Sequence, residues 1–354
     1  MSDPVYSRGM VNAAATAGLI ALTIYLLVVG QDILMPLVLA VFIAYLIIAL
    51  SHAIQRISAG TLKLPGWVAL TLSVLAFVLV IALVVQLIAG NIRAVVAAAP
   101  EYQDRLQDLL GRVNAFVAKA AGQEQPLTFT SLLDQIDLRA VVGRFADAFQ
   151  SIAGNTFQIF AYVFFLLLEN RTFDRKMKAM FPDTDHERSV RKTLNQIGGR
   201  IETYVLIKTF ISLLTGGASY IVLKIAGVDF AAFWSLLIFV LNFIPYIGSP
   251  IGMLFPTVLA LLQFGSPVTA AVVLGCLIAV QAVVENLLEP RLMGSSLNLS
   301  PVFMILSLSI WGAIWGITGM ILAVPMMVMI MIVLAQFPAT RGFAVAMSET
   351  GEIA

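Results

Sequence analysis

The chain has 354 residues, of which 60% are hydrophobic and only 12% are charged, and its formal net charge is +1. Soluble domains are about half apolar and about a quarter charged, so this composition excludes an ordinary soluble domain and indicates an integral membrane protein. The single cysteine, Cys276, excludes an intramolecular disulfide. We expect no nucleic-acid partner.

Three apolar spans are predicted within residues 1–92. Val11–Val29 and Ile33–Leu50 are joined by a tight turn at residues 30–32, and Trp67–Ile92 is long enough to extend beyond the membrane as one continuous helix. The first segment lacks an A-x-A cleavage pattern and further spans follow it. It is therefore expected to be retained rather than removed as a signal peptide.

Residues 93–150 carry many acidic and basic side chains and are predicted to leave the membrane. Apolar residues recur at helical spacing in two segments of this region, which predicts a small helical extramembrane module. A lid, an oligomer contact, a membrane-surface element and helical extensions packed on the protein's own bundle all fit this pattern.

Residues 151–203 combine a fourth span, Ser151–Leu168, with a basic amphipathic segment that carries eight Lys or Arg residues. The positive-inside rule places this segment in the cytoplasm together with the loop at 51–66, and both chain termini follow on the same side. The apolar edge of the segment indicates contact with membrane lipid. Pro182 is predicted to end its first half.

Residues 204–337 are predicted to form a transport core, which begins with a fifth span, Tyr204–Ala226. The run from Phe230 to Val284 then contains no Asp, Glu, Lys, Arg or His, yet prolines and glycines interrupt it between residues 242 and 256. Lipid cannot satisfy the backbone groups that proline frees, so a broken helix at membrane depth must be buried in protein or line a cavity. Discontinuous helices frequently mark the binding site of a secondary transporter. An ordinary tight turn between two short helices is the alternative.

The interruption divides the run into two arms, Phe230–Ile247 and Ile251–Phe264, before a full span at Pro267–Leu288. The second arm is about 21 Å long at 1.5 Å per residue, short of a hydrocarbon core of about 30 Å, so a re-entrant hairpin is predicted. A second uncharged run, Leu292–Thr340, is predicted to hold another broken pair, whose arms meet at residues 311–319.

Pro325 is predicted to break the second arm of this last pair, and residues 338–354 are predicted to form a cytoplasmic tail. The expected fold is therefore all-α. It is a polytopic membrane helical bundle of about eight transmembrane helices, including two broken or re-entrant pairs, with a small helical extramembrane module.

Two stretches supply the candidate residues for a transport path. Positions 281, 285 and 289 are spaced by four and form one polar stripe on a helix. A charge buried in the membrane costs about 3 kcal/mol or more and usually marks a pathway or a proton relay. Glu285 lies near the predicted membrane boundary, so an interfacial role for it is the alternative. The candidates are Asn242, Pro245, Tyr246, Gly248 and Pro250 in the first break, and Gln281, Glu285, Asn286, Glu289 and Arg291 in the span that follows it.

Two of these residues have alternative structural roles. Asn242 can bond a carbonyl freed by Pro245 or face a solute, and Glu289 has Arg291 as a nearby candidate partner at the membrane interface. Enzymatic motifs are absent from the sequence: it has no H-E-x-x-H pair, no acidic metal cluster and no phosphate-binding loop. We therefore expect no enzyme activity, no cofactor and no metal site.

The motifs of the C-terminal half resemble those of the AI-2E family of transporters, the autoinducer-2 exporter-like membrane proteins. The resemblance covers about residues 190–337. Its most specific feature is the combination of I-P-Y-I-G at residues 244–248 with E-N-x-x-x-P-R-x-x-G at residues 285–294, and further matching stretches lie at residues 316–319 and 323–325.

The resemblance implies a bacterial inner-membrane protein that exports a small polar solute, autoinducer-2 or a similar signalling metabolite, and that assembles as a homo-oligomer such as a pentamer. Some relatives resemble sodium/proton antiporters, so exchange of sodium ions and protons is an alternative function. A non-transporting membrane scaffold is a third. In the exporter interpretation, Asn242, Gln281, Glu285 and Asn286 face one cavity, and Glu285 is the best candidate for coupling to a proton or a cation.

Overall fold

The computed structural model describes residues 4–58, 64–121, 154–181, 183–293 and 298–352. Helices account for almost all of these residues, and the described part contains no β-strand. The prediction of an all-α fold is therefore confirmed. The α-helices are α1 (Pro4–Val29), α2 (Gln31–Ser58), α3 (Gly66–Ala121), α4 (Thr156–Met180), α5 (Thr184–Ile225), α6 (Ala231–Leu241), α7 (Gly248–Phe264), α8 (Pro267–Val283), α9 (Glu289–Met293), α10 (Pro301–Ala335) and α11 (Arg341–Met347), with a π-helical turn (Val284–Leu288) between α8 and α9.

Within the described residues, five helical stretches are long and apolar enough to cross a membrane, as judged by length and composition. Four shorter apolar stretches accompany them, in α1, α4, α6 and α7. This pattern confirms a polytopic helical membrane bundle. The five long stretches are Gln31–Arg56, Gly66–Leu87, Glu187–Ile225, Pro267–Met293 and Pro301–Ala335.

The chain forms two compact units. One unit consists of Met1–Ala44, Phe157–Ile197 and Asn298–Ala354, and the other of Tyr45–Thr156 and Gly198–Leu297. The second unit contains most of the candidate transport-path residues, because α6, α7, α8 and the π-helical turn all belong to it.

Helix α3 extends further than the sequence predicts. The third span was expected to end at Ile92, but α3 continues to Ala121 and thus includes the first helical segment of the predicted 93–150 module. Helical periodicity on both sides of residue 92 lets one helix run from the apolar into the polar region without interruption. The second helical segment of the predicted module lies outside the described residues.

The basic segment between the fourth and fifth spans is helical on both sides of residue 182. It forms the end of α4 and the beginning of α5, and α5 then continues without a break through the predicted fifth span. Pro182 itself lies outside the described residues. The predicted continuity between the basic segment and the fifth span is confirmed.

The predicted break in the first uncharged run is confirmed, since α6 ends at Leu241 and α7 begins at Gly248. Helix α6 has 11 residues and α7 has 17, which correspond to about 16 Å and about 25 Å, both short of a hydrocarbon core of about 30 Å. The two helices pack against each other, and α3 packs against both. They form a helical hairpin.

Tight turns satisfy the backbone of this break. The Ile244 N–H donates to Leu241 O at 2.8 Å, the Ile247 N–H to Pro245 O at 2.7 Å and the Gly248 N–H to Ile244 O at 3.0 Å. The chain therefore turns sharply within a few residues, and Leu241 O, to which Pro245 cannot donate, accepts from the Ile244 N–H instead. Tyr246 adopts a left-handed conformation with φ of 61°, which is unfavourable for a residue with a bulky side chain.

The second uncharged run folds back on itself within α10. Its backbone leaves the helical region at Trp315 and at Gly316, whose φ of 62° and ψ of −142° suit glycine alone. The hydroxyl of Ser307 donates to Ala323 O at 2.9 Å, although sixteen residues of straight helix would span about 24 Å. Residues 301–314 and 317–335 therefore form a helical hairpin. The predicted meeting point of the arms is confirmed.

The prediction that Pro325 breaks the second arm is wrong. The helix continues through Pro325 to Ala335, and the only non-helical residues in α10 are Trp315 and Gly316. A proline inside a helix removes a single hydrogen bond, and the loss is tolerated when the surrounding turn is packed. Pro325 is buried together with its neighbours from Leu322 to Val328.

Gly248 provides a test of the first hairpin. A Cβ atom at this position would lie 1.7 Å from Leu241 O, so we expect Gly248→Ala to lower the unfolding free energy by about 3 kcal/mol through overpacking. Gly217→Ala in α5 is the matched control, because nothing lies within 4 Å of its Cβ position. Thermal unfolding of the purified protein in detergent measures the difference. Equal melting temperatures for Gly248→Ala and the wild type would contradict the close approach.

Candidate functional site

Buried polar side chains meet where the break between α6 and α7 faces α5 and α8. Asn242, the first residue after α6, is only 2% exposed. Its Nδ2 donates to Ser212 Oγ of α5 at 3.0 Å, and its Oδ1 accepts from Gln281 Nε2 of α8 at 3.3 Å. Asn242 thus connects the break to two neighbouring helices rather than bonding a carbonyl freed by Pro245.

Gln281 extends this network to a carboxylate. Its Nε2, which carries two hydrogens, also lies within hydrogen-bonding distance of Ser249 Oγ, at the start of α7, and of Glu285 Oε1, so its three acceptors share these two hydrogens. The Ser249 hydroxyl donates to Glu285 Oε1. Among the described residues, Glu285 has no ion-pair partner. Two neutral donors therefore hold one partly buried carboxylate.

The π-helical turn changes the predicted polar stripe. The Glu289 N–H donates to Val284 O, five residues back, so this turn holds one residue more than an α-helical turn. The angular register of Glu289 relative to Glu285 therefore shifts, and the two carboxylates contact different helices. Helices with single π-turns of this kind frequently occur at functional sites.

Glu289 forms a buried ion pair with Lys208 of α5. Lys208 Nζ donates to Glu289 Oε1 at 2.7 Å, and the two side chains are 5% and 21% exposed. Lys208 is the only charged residue among the fully buried polar residues of the described chain. Arg291, the partner expected for Glu289, is exposed instead, since the helical register at the π-turn directs Glu289 towards α5.

The structure brings together only part of the predicted site. Asn242, Gln281 and Glu285 belong to one hydrogen-bonded network, and Glu289 belongs to the adjacent ion pair. Pro245, Tyr246 and Gly248 form the break itself. The remaining three predicted residues are exposed and lie outside this network: Pro250, Asn286 and Arg291. Asn286 had been expected to share a cavity with Glu285.

Three residues of these contacts were not predicted: Lys208, Ser212 and Ser249. Lys208 and Ser212 are four residues apart on α5 and therefore share one face of the helix. A lysine near the middle of an apolar run was the available signal, because an ionisable residue in such a segment usually has a functional or paired role. Ser249 carried no comparable signal, since only the hairpin places it opposite Glu285.

A second polar cluster joins the extension of α3 to the ends of the first hairpin. The Tyr102 hydroxyl donates to Asp229 Oδ2 at 2.7 Å, and Arg105 Nη1 donates to Gln263 O at 2.8 Å. Burial and this hydrogen bond raise the pKa of the Tyr102 phenol, which keeps it protonated as a donor. This part of the predicted extramembrane region therefore packs on the bundle of its own unit.

The described residues contain no group of three or more His, Cys, Asp or Glu side chains that could hold a metal ion. The chemistry of the site is instead that of hydroxyl, amide and carboxylate groups next to a broken helix. Such groups bind polar solutes and small cations, and discontinuous helices present them in secondary transporters.

Comparison with known proteins identifies the family of the chain. The family model described as "AI-2E family transporter" matches residues 17–339. The chain belongs to the AI-2E transporter family. The match covers both broken helices and all residues of the polar network, which places the network inside the part of the chain that AI-2E transporters share.

Individual relatives cover most of the chain as well. A Haemophilus influenzae protein, whose name describes transport without a substrate, is 32% identical over 89% of this AI-2E chain and 90% of its own length. The AI-2 transport protein TqsA of Escherichia coli (strain K12) is 26% identical over 99% of both chains. A Borreliella burgdorferi relative is 30% identical over 70% of this chain and 67% of its own.

The Lys208–Glu289 pair gives a stability prediction. Lys208→Met leaves the Glu289 carboxylate buried without a cation, so we expect the unfolding free energy to fall by about 3–5 kcal/mol. Lys208→Met combined with Glu289→Gln removes both charges, and we expect this double variant to regain most of the loss. Thermal unfolding in detergent, followed by size-exclusion chromatography, compares the three proteins. A single variant that melts like the wild type would show that the pair is not buried as described.

Proposed function

We propose that this protein is a secondary transporter that exports a small polar solute, autoinducer-2 or a similar signalling metabolite, and so acts in quorum sensing. The observation that carries this proposal is the network from Asn242 through Gln281 and Ser249 to Glu285 at a helix break. The name of TqsA, which matches over nearly the whole of both chains, supports autoinducer-2 as the solute. A transport role also agrees with the lack of catalytic motifs.

In this mechanism the break between α6 and α7 supplies the polar surface. Its turns at residues 242–248 pair backbone N–H groups locally, and Asn242 and Ser249 at the two ends of the break present their side-chain polar groups to the neighbouring helices. A solute with several hydrogen-bonding groups exchanges its contacts with water for contacts with Asn242 and its partners. The short arms of the hairpin allow the break to be reached from either side in turn.

Glu285 is the coupling group of this mechanism. A partly buried carboxylate without a cation is costly in an apolar environment, and binding a proton or a monovalent cation removes that cost. The bound ion also changes which hydrogen bonds Ser249 and Gln281 make, because both donate to Glu285 Oε1. Ion binding and solute binding therefore act on the same hydrogen-bonded network.

Exchange of sodium ions for protons is the second candidate function, and the same carboxylate favours it. Hard cations prefer oxygen ligands, and the network holds the oxygens of Glu285, Ser249 and Asn242 close together. In this alternative Glu285 binds sodium and protons in turn, without a second solute.

We place the protein in the bacterial inner membrane with both termini in the cytoplasm. The basic residues of α4 and α5 support this orientation by the positive-inside rule. The apolar edge of this basic segment is proposed to contact membrane lipid. A homo-oligomer such as a pentamer is proposed from the resemblance to the family.

Reconstitution of the purified protein in liposomes tests both functions side by side. One assay measures release of autoinducer-2, and the other measures proton movement driven by a sodium gradient. We expect Glu285→Gln to reduce the coupled flux at least about tenfold and to abolish its pH dependence, because an amide can neither take up a proton nor replace the charge. Glu349→Gln, which changes an exposed carboxylate in the tail, is the matched control.

The outcomes separate the functions. Autoinducer-2 release without ion exchange supports the exporter, and ion exchange alone supports the antiporter. The absence of flux in both assays would favour a non-transporting scaffold. An unchanged flux and pH profile in Glu285→Gln would exclude Glu285 as the coupling group.

A further inference from the structure

Lys208 has more hydrogen-bonding capacity than the protein uses. A lysine ammonium carries three hydrogens, yet within the described residues it donates to one acceptor, Glu289 Oε1. Its side chain is 5% exposed, so water has little access to the other two hydrogens. Buried donors without acceptors are rare in proteins and require an explanation, of which a bound polar group is one.

Tyr204 supplies a second unused donor beside the first. It precedes Lys208 by four residues and therefore lies on the same face of α5. Its side chain is buried, and its hydroxyl oxygen has no hydrogen-bond partner in the described part of the chain. Tyr204 and Lys208 thus carry spare donors on one face of α5, and with Glu289, the ion-pair partner of Lys208, they form a polar cluster.

The charge of this cluster indicates which ligands it suits. Lys208 and Glu289 neutralise each other at 2.7 Å, and the tyrosine is neutral, so the cluster carries no net charge. A ligand with a net charge would lose its hydration on entering the cluster, and the cluster has no net opposite charge to compensate for that loss. A hydroxyl group, in contrast, both donates and accepts, so it can accept from Lys208 or Tyr204 and donate to Glu289.

We infer that Tyr204, Lys208 and Glu289 form a solute-binding site for small uncharged molecules that carry several hydroxyl or carbonyl groups. This inference rests on the proposed transport function and gives its solute a chemical class. Glu285, which has no ion-pair partner among the described residues, binds the coupling ion. Glu289, which Lys208 neutralises, adds to the solute contacts that Asn242 supplies.

The test uses two probes with the same carbon skeleton: ribitol, which is uncharged, and ribonate, which carries a carboxylate. The first measurement is competition of each probe with autoinducer-2 transport in proteoliposomes. The second is protection of the full-length protein against thermal unfolding in detergent, which does not depend on transport. Polyols also stabilise proteins non-specifically, but that effect is the same in every variant.

Three variants are compared with the wild type. Tyr204→Phe removes only the hydroxyl, and the double variant Lys208→Met with Glu289→Gln removes both charges while leaving no buried charge unpaired. Thr215→Val is the matched control, because the Thr215 hydroxyl is buried on the same helix but donates to Ile211 O of its own backbone at 3.0 Å.

We expect ribitol to compete and protect in the wild type and in Thr215→Val, and ribonate to do neither. Tyr204→Phe should weaken ribitol binding about tenfold, as expected for one lost hydrogen bond in a buried site, and the double variant should lose the response. Wild-type ribitol affinity in a correctly folded double variant would overturn the inference and leave the ion pair a structural role.

Failure of the proposed function has a different signature. If the wild type does not transport autoinducer-2, thermal protection by ribitol still decides the site. Protection that Tyr204→Phe weakens supports the site and discards autoinducer-2 as the solute. Equal protection in all proteins, or none in any, overturns the site.

Discussion

The need to pair every backbone polar group in apolar surroundings is the constraint on which this structure depends. A helix satisfies that need by itself, so a helix break must find other partners. Here the turns at residues 242–248 pair the N–H groups of the break with nearby carbonyls, and Gly248 permits the close approach that those turns require. Asn242 is left free to bond neighbouring helices rather than its own backbone. The polar network therefore adds hydrogen bonds between helices to those that the turns make within the break.

The π-helical turn after α8 determines how the two carboxylates differ. In a regular helix Gln281, Glu285 and Glu289 would share one stripe and would respond to a bound ion together. The additional residue in the turn brings Glu285 to Ser249 and Glu289 to Lys208. Among the described residues, Glu285 therefore has no cationic partner, whereas Glu289 belongs to an ion pair. Two groups of identical chemistry thus acquire different electrostatic surroundings from the register of this turn and from the helices packed against it.

The two broken helices show which sequence signals indicate a break. Prolines and glycines grouped within residues 242–256 coincide with a true interruption, whereas the isolated Pro325 lies in an unbroken, buried helix. The second interruption falls at Trp315 and Gly316, where the backbone enters a region suited to glycine. A packed helix tolerates one missing hydrogen bond. It cannot continue through a backbone conformation that only glycine adopts. Groups of prolines and glycines, and a glycine in a backbone conformation that other residues avoid, therefore indicate a helix break better than a single proline does.

The sequence by itself determined the membrane character, the all-α class, the positions of both hairpins and the membership of Asn242, Gln281 and Glu285 in a polar site. These properties follow from composition, from runs without charge and from helical spacing, all of which are local. The tertiary structure alone decided the partners. Lys208 and Ser249 are far from Glu289 and Glu285 in sequence, and only the packing of α5 and α7 against the helix that follows brings them together. Spacing along a chain specifies the face of a helix, whereas the residues that this face contacts depend on how the helices pack.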